Sequence, residues 1–121
     1  MIGSKVQNVK VGDVVGVSPV RYSDGKCEYC LQGDTQLCEN REFLYGTYFG
    51  GYCTHLQIDK NWVFHIPQGM NIAKMVPLLC AGVTTYAPIK RYQKVGGSCA
   101  VIAIGGLGHL AAQYANKLGN F

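Results

Sequence analysis

Charge is scarce in this 121-residue chain: 15% of residues are charged, and 11 Lys and Arg against 7 Asp and Glu leave a net +4. Nucleic-acid binders concentrate such charge on one face, often among stacking aromatics. Here it is scattered, apart from the group Lys90, Arg91 and Lys94, which reads as a solvated helix end. No nucleic-acid partner is expected. The chain also lacks an apolar run as long as a membrane span, and Met1 to Lys10 lack the apolar centre of a signal peptide. A cytosolic location with no membrane partner is the expectation. Internal repeats, low-complexity segments and a Pro/Gly/Ser linker are missing as well. What remains, 48% hydrophobic residues, has the composition of a globular domain long enough to bury a real core.

Cysteine is the residue in good supply, with six copies, and in a non-secreted chain these suit reduced thiols and metal ligands better than disulfides. Three of them, Cys27, Cys30 and Cys38, fall in the stretch D-G-K-C-E-Y-C-L-Q-G-D-T-Q-L-C that starts at Asp24. The x-x step from Cys27 to Cys30 also separates Asp24 from Cys27. Four potential ligands at this rhythm can surround a small d¹⁰ ion, and thiolates suit zinc. Gly25 and Gly33 allow the turns. A shell of four protein ligands leaves no open position, so the expected zinc is structural, a staple for a loop with little apolar content. Asp24 stands where a fourth cysteine would complete the pattern. The alternative is a Cys-rich turn of free thiols capped by Asp24.

Along the rest of the chain, Val14 to Val17 reads as a short strand after a turn at Lys10 to Asp13, as barrel or sandwich material. Arg41 to Gly51 is rich in Tyr, Phe and Gly. Alternation from Tyr52 to Ile58 predicts a strand with Cys53 a small core residue and His55 exposed, either a surface histidine or a catalytic base. Trp62 to Pro67 is a further β run, and His65 is expected to be structural, since no acid pairs with it by spacing. From Asn71 the period turns helical: Ile72, Met75, Val76 and Leu79 recur at helical intervals, and Val83 to Tyr92 continues, with Pro77 and Pro88 limiting where helices begin or break.

Cys99 to Ile104 is a continuous apolar run, as in a strand covered on both faces of a parallel sheet. It opens onto Gly105-Gly106-Leu107-Gly108, and His109 to Leu118 reads as an amphipathic helix ended by Gly119. Strand, glycine turn, helix is the context of a dinucleotide fingerprint. Gly105 and Gly106 would let the backbone approach a pyrophosphate, and Gly108 would let the helix pack on the strand. Ala103 occupies the place of the first glycine. A βα turn needing glycine for packing alone is the competing reading.

Taken together these pieces resemble the zinc-dependent medium-chain alcohol dehydrogenases, most closely the cinnamyl alcohol dehydrogenase-like branch. The resemblance rests on V-G-D-V-V-G-V at 11–17, the cysteine loop at 24–38, G-G-Y at 50–52, P-L-L-C-A-G-V-T-T-Y at 77–86 and I-G-G-L-G-H at 104–109. It implies a mixed α and β fold: a partial GroES-like β-barrel catalytic domain over 1–70, then the start of a doubly wound Rossmann domain over 71–121. It makes Cys80, which alone reads as a buried apolar side chain, the third protein ligand of a catalytic zinc, with Thr84 against the nicotinamide. Gly105, Gly106, Leu107 and Gly108 would bind the cofactor, NADP(H) more than NAD(H). The substrate would be a small alcohol or aldehyde, and the full-length form a possible homodimer.

The family's other two catalytic ligands, a Cys and a His before a Glu, lie upstream of the segment matching Gly3 to Val6, so the 121-residue chain alone is expected to be inactive. The loop between Cys38 and Gly50 is shorter than usual for the branch. A second reading is a truncated, non-catalytic remnant serving as a small zinc-binding or interaction module. A third, a zinc-containing nucleic-acid module, predicts steeply salt-dependent binding.

Overall fold

The computed structural model describes residues 1–46 and 50–119; Thr47, Tyr48 and Phe49 of the aromatic stretch, and Asn120 and Phe121, lie outside the described residues. The chain divides into two compact units, Met1–Gly69 and Met70–Phe121.

In the first unit, β1 (Val15–Val17) and β2 (Val20–Tyr22) are parted by Ser18 and Pro19, where the missing proline N–H interrupts any ladder. A five-residue helix α1 (Glu28–Gln32) and a 3₁₀ turn at Thr35–Leu37 follow, then β3 (Glu42–Phe43) and β4 (Val63–His65). β1 pairs antiparallel with β4, placing Val15 opposite His65 and Val17 opposite Val63. β2 pairs antiparallel with β3, Val20 opposite Phe43 and Tyr22 opposite Glu42 with an irregularity between. The Leu44 amide extends that pairing by donating to the Pro19 carbonyl at 2.8 Å, and Leu44 is buried. Arg21 faces Glu42 across the pair at 3.8 Å.

Two expectations for this unit are corrected. Residues 52–58 are not a strand: among the described residues nothing pairs with them, and alternation without a ladder leaves backbone groups to solvent. Cys53 is accordingly exposed, its thiol on the Gly50 carbonyl at 3.5 Å, and not a core residue. His65, read as structural because no acid pairs with it by spacing, is met by groups from a distant part of the chain. Its Nδ1 lies 3.9 Å from Asp13 Oδ2, and its Nε2 is 2.6 Å from the Asn8 carbonyl oxygen.

In the second unit, Asn71 caps α2 (Ile72–Met75), its side chain accepting from the Lys74 amide at 3.2 Å. A 3₁₀ turn at Val76–Leu79 carries Pro77 where its missing N–H costs nothing, and α3 (Ala81–Tyr92) follows. α3 runs on through Pro88. α4 (Gly108–Lys117) packs against α3. Gly82 makes room for that contact, since a Cβ there would sit 3.0 Å from Leu78 Cβ and 3.3 Å from Tyr114 Oη. The Tyr86 and Tyr114 rings meet edge to face at 5.6 Å, beside the buried Ala115.

Residues 99–104 do not form the expected strand, and Ile102 and Ile104 are 93% and 67% exposed. A parallel strand draws its order from neighbours on both edges and cover on both faces, and among the described residues no strand pairs with this one. The expected core is also small: Cys38, Leu44 and Ala115 are the buried apolar residues among those described. No single described helix is long and apolar enough to cross a membrane; the pair Ile72–Leu79 and Ala81–Tyr92 reaches that length and composition jointly, across a 56° bend.

Candidate functional site

Local backbone chemistry closes the cysteine loop. Gly25 and Gly33 take left-handed φ values of 67° and 88°, which glycine adopts without a Cβ penalty. Cys27 is the N-cap of α1, and its carbonyl accepts from the Leu31 amide at 3.0 Å. Cys30 lies one turn along, and the Gly33 amide caps the helix on the Cys30 carbonyl at 3.2 Å. The 3₁₀ turn at Thr35–Leu37 then returns the chain so that Cys38 is fully buried.

The donor atoms of Asp24, Cys27, Cys30 and Cys38 all lie within 4.8 Å of one another. Thiolates about 2.3 Å from a tetrahedral zinc stand somewhat under 4 Å apart, so this set fits zinc with a small contraction. Asp24 is also a turn cap: its Oδ1 accepts from the Lys26 amide at 2.9 Å and the Cys27 amide at 3.1 Å. The two readings of Asp24, cap and ligand, thus describe one geometry.

The donors ionise unequally. The Asn40 side-chain amide, then the Lys26 and Cys27 amides, hold the Asp24 carboxyl far below the usual carboxylate range, so it is an anion at neutral pH. At Cys27 a hydrogen bond from the Cys30 backbone favours the thiolate. Desolvation, the Cys30 and Cys38 thiols and the Asp24 charge outweigh it and push Cys27 up to about 11. Cys30 moves the other way: desolvation opposes ionisation, but Ser23, the Gly25 backbone and the two neighbouring thiols hold it below the ordinary thiol range. Such opposed shifts are what like charges sharing a small space produce, and a divalent cation at their centre would favour ionisation of all three thiols.

Two residues that spacing did not single out complete the loop. Asn40 Nδ2 donates to Asp24 Oδ2 at 2.8 Å. Arg41 donates twice to the Cys38 carbonyl, from its amide at 3.2 Å and from Nη1 at 2.9 Å, with its guanidinium 5.6 Å from the Phe43 ring centre. The available signal was their place two and three residues after Cys38.

In the second unit, Cys80 is exposed at the N-cap of α3, not buried as its apolar neighbours alone suggest. Thr84, also exposed, lies one turn on, its amide bonded to the Cys80 carbonyl at 3.0 Å, so both occupy one helix face. At the glycine turn the three glycines differ. A Cβ on Gly108 would collide with the Ala103 carbonyl oxygen, so this position requires glycine for close approach. Gly105 and Gly106 have no positive φ, and a Cβ on either would meet open space. Neither packing nor backbone geometry among the described residues requires glycine at those two positions. Ala103 has φ 68°, the one positive value outside glycine among the described residues. Leu107, half exposed, precedes α4, whose first turn begins as the His109 amide bonds the Gly105 carbonyl at 3.1 Å.

His55 is exposed, its Nδ1 3.1 Å from the Thr54 hydroxyl, and it does not join the thiol cluster. A cleft of about 1380 Å³ in the first unit, bordered by Lys10, Asp13, Arg21, His55 and Asp59 among others, includes none of the predicted ligands.

The alcohol dehydrogenase GroES-like domain family matches residues 1–68. Over 98% of its length the chain is 37% identical to a probable formaldehyde dehydrogenase of Bacillus subtilis and 38% identical to a probable cinnamyl alcohol dehydrogenase of Oryza sativa, covering 36% of each. Among solved structures, the CAD of Helicobacter pylori complexed with NADP(H) superposes with a TM-score of 0.89 at 34% identity, over 98% of this chain and 37% of that one. The chain thus spans about a third of the length of the curated relatives it matches. A GroES-like match over more than half its residues, with dehydrogenase similarity along nearly all of them, means that the chain belongs to the zinc-dependent medium-chain alcohol dehydrogenases, alongside their cinnamyl alcohol dehydrogenase-like members.

Proposed function

We propose that this chain is a segment of a zinc-dependent alcohol dehydrogenase that interconverts primary alcohols and aldehydes by hydride transfer, with NADP(H) in preference to NAD(H). The observation that carries the proposal is the similarity to dehydrogenases along 98% of the chain. The NADP(H) bound to the Helicobacter pylori relative favours that cofactor.

In this reading the loop and the second unit divide the work. Asp24, Cys27, Cys30 and Cys38 would fill a zinc shell completely, which leaves no place for substrate and makes that metal a staple. Cys80 would be one protein ligand of a separate catalytic zinc, and its exposure suits that role. When bound, that zinc supplies Lewis acidity toward the alcohol or carbonyl oxygen, and the nicotinamide supplies or takes the hydride. Thr84, on the same face of α3, would orient the nicotinamide. Gly105 and Gly106 would leave the backbone bare for a pyrophosphate, with Leu107 and Gly108 starting the helix whose N-terminal amides and dipole favour it. The unpaired apolar run 99–104 would be the first strand of the doubly wound sheet.

The intact protein carrying this chain, isolated from its own cells, tests the proposal: aldehyde-dependent oxidation of NADPH or NADH is expected, and its loss in Cys80→Ala. Absence of turnover across aromatic and aliphatic aldehydes would refute it. One observation favours a second reading, a non-catalytic zinc-binding or interaction module: side chains such as Ile102 and Val95, both at least 90% exposed, suit an apolar surface covered by a partner.

A further inference from the structure

We infer that Asn40 is a positioning residue that makes a carboxylate serviceable as the fourth ligand of the cysteine loop; the inference rests on reading that loop as a metal site.

A lone-pair count leads there. An ionised carboxylate has about four acceptor sites, two on each oxygen. Asp24 Oδ1 already receives two amides, from Lys26 at 2.9 Å and Cys27 at 3.1 Å, so its sites are filled by the turn. Oδ2 receives Asn40 Nδ2 at 2.8 Å, and the Cys30 thiol is a further hydrogen-bond partner of the carboxylate, marking the side that faces the thiols. The oxygen left to face the thiols is therefore the one Asn40 holds. The amide orientation follows from chemistry: a carboxylate only accepts, so Asn40 must turn its NH₂ toward it.

Asn40 is itself held in place. The turn that carries it closes on the Cys38 carbonyl through the Arg41 amide and guanidinium, and Arg41 lies beside the Phe43 ring of β3. The chain thus connects the buried third thiol, Cys38, to the carboxylate across the cluster by way of two consecutive residues. A carboxylate is a harder and less retentive zinc ligand than a thiolate, and one that can swing away exposes the metal to water. With Asn40 tying Oδ2, rotation of the carboxylate breaks a charge-assisted hydrogen bond as well as the metal bond. Outer partners of this kind typically govern affinity by 10–100-fold. A cysteine at position 24 would have no oxygen for Asn40 to hold, so the need for Asn40 belongs to the aspartate form of the site.

The test uses the full chain loaded with Co²⁺ alone, whose visible spectrum reports thiolate number and coordination. Wild-type protein should give a four-coordinate spectrum that azide does not change. Asn40→Ala should keep the thiolate bands, respond to azide at the opened corner, and lose metal to a chelator about 10-fold faster or more. In an Asp24→Cys background the same Asn40→Ala change should alter neither the spectrum nor the release rate. Equal behaviour of Asn40→Ala and wild type overturns the positioning role. So does an equal loss in the Asp24→Cys background, which would make Asn40 a general support of the loop. Failure of wild type to take up Co²⁺ overturns the metal reading itself, and the two failures are told apart by that first spectrum.

Discussion

Replacing Cys30 with serine probes what orders the loop. The segment 24–38 contains a five-residue helix and a three-residue 3₁₀ turn, both far below the length at which helices persist alone, and its one buried side chain is Cys38. Fixing each residue costs about 1–2 kcal/mol, and a net hydrogen bond returns about 1 kcal/mol, so internal bonding leaves a deficit. A structural zinc contributes on the order of 10 kcal/mol, enough to offset it. Loss of an outer partner costs about 10–100-fold in affinity, and loss of a ligand must cost more, so Cys30→Ser should weaken zinc by at least ~1.4–2.8 kcal/mol. The Lys26 peptide, whose amide is bonded to Asp24 Oδ1, offers the readout. Trypsin cleavage after Lys26 should accelerate at least 10-fold as the open loop becomes populated, in parallel with zinc release to a chromophoric chelator. Unchanged zinc content and an unchanged cleavage rate would remove Cys30 from the shell and refute the argument that metal orders the loop.

The glycine turn yields two further expectations. Ala103→Gly relieves the one left-handed non-glycine residue described, and should leave stability unchanged or raise it by up to ~1 kcal/mol, since relief of strain is partly offset by a freer unfolded chain; thermal denaturation reads it. Gly108→Ala should instead weaken NADPH binding, measured by nucleotide fluorescence, at least 10-fold, because its methyl would displace the Ala103 carbonyl beneath the helix start. Unaltered binding would show that the turn tolerates the shift. The purified 121-residue chain is expected to show no aldehyde-dependent NAD(P)H oxidation above a buffer control, because on the proposed reading Cys80 would supply one of the three protein ligands that a catalytic zinc takes; measurable turnover would overturn that.

Legibility in the sequence followed the range of the interaction. The donors of the metal loop lie within fifteen residues, and turn chemistry at Gly25 and Gly33 acts locally, so spacing alone brought the four together on paper. The helix after Gly105-Gly106 was equally local, needing its glycine turn and apolar period. Pairing was not local. Val15 meets His65 across fifty residues, and His65 finds Asp13 and Asn8 through that pairing and no spacing rule. Tyr52 to Ile58 and Cys99 to Ile104 have strand-like patterns, but a pattern supplies one edge and a ladder needs two. Asn40 reaches Asp24 over sixteen residues only because α1 and the 3₁₀ turn fold the loop back, so its role was invisible before the geometry.

The most direct test of the central claim, that this chain is part of a zinc alcohol dehydrogenase, is native mass spectrometry of the protein isolated intact from its own cells. A polypeptide nearly as long as the relatives, of which this chain spans about a third, is expected, carrying zinc that is released when the thiols are alkylated. A native chain of 13.2 kDa that binds no zinc would contradict it.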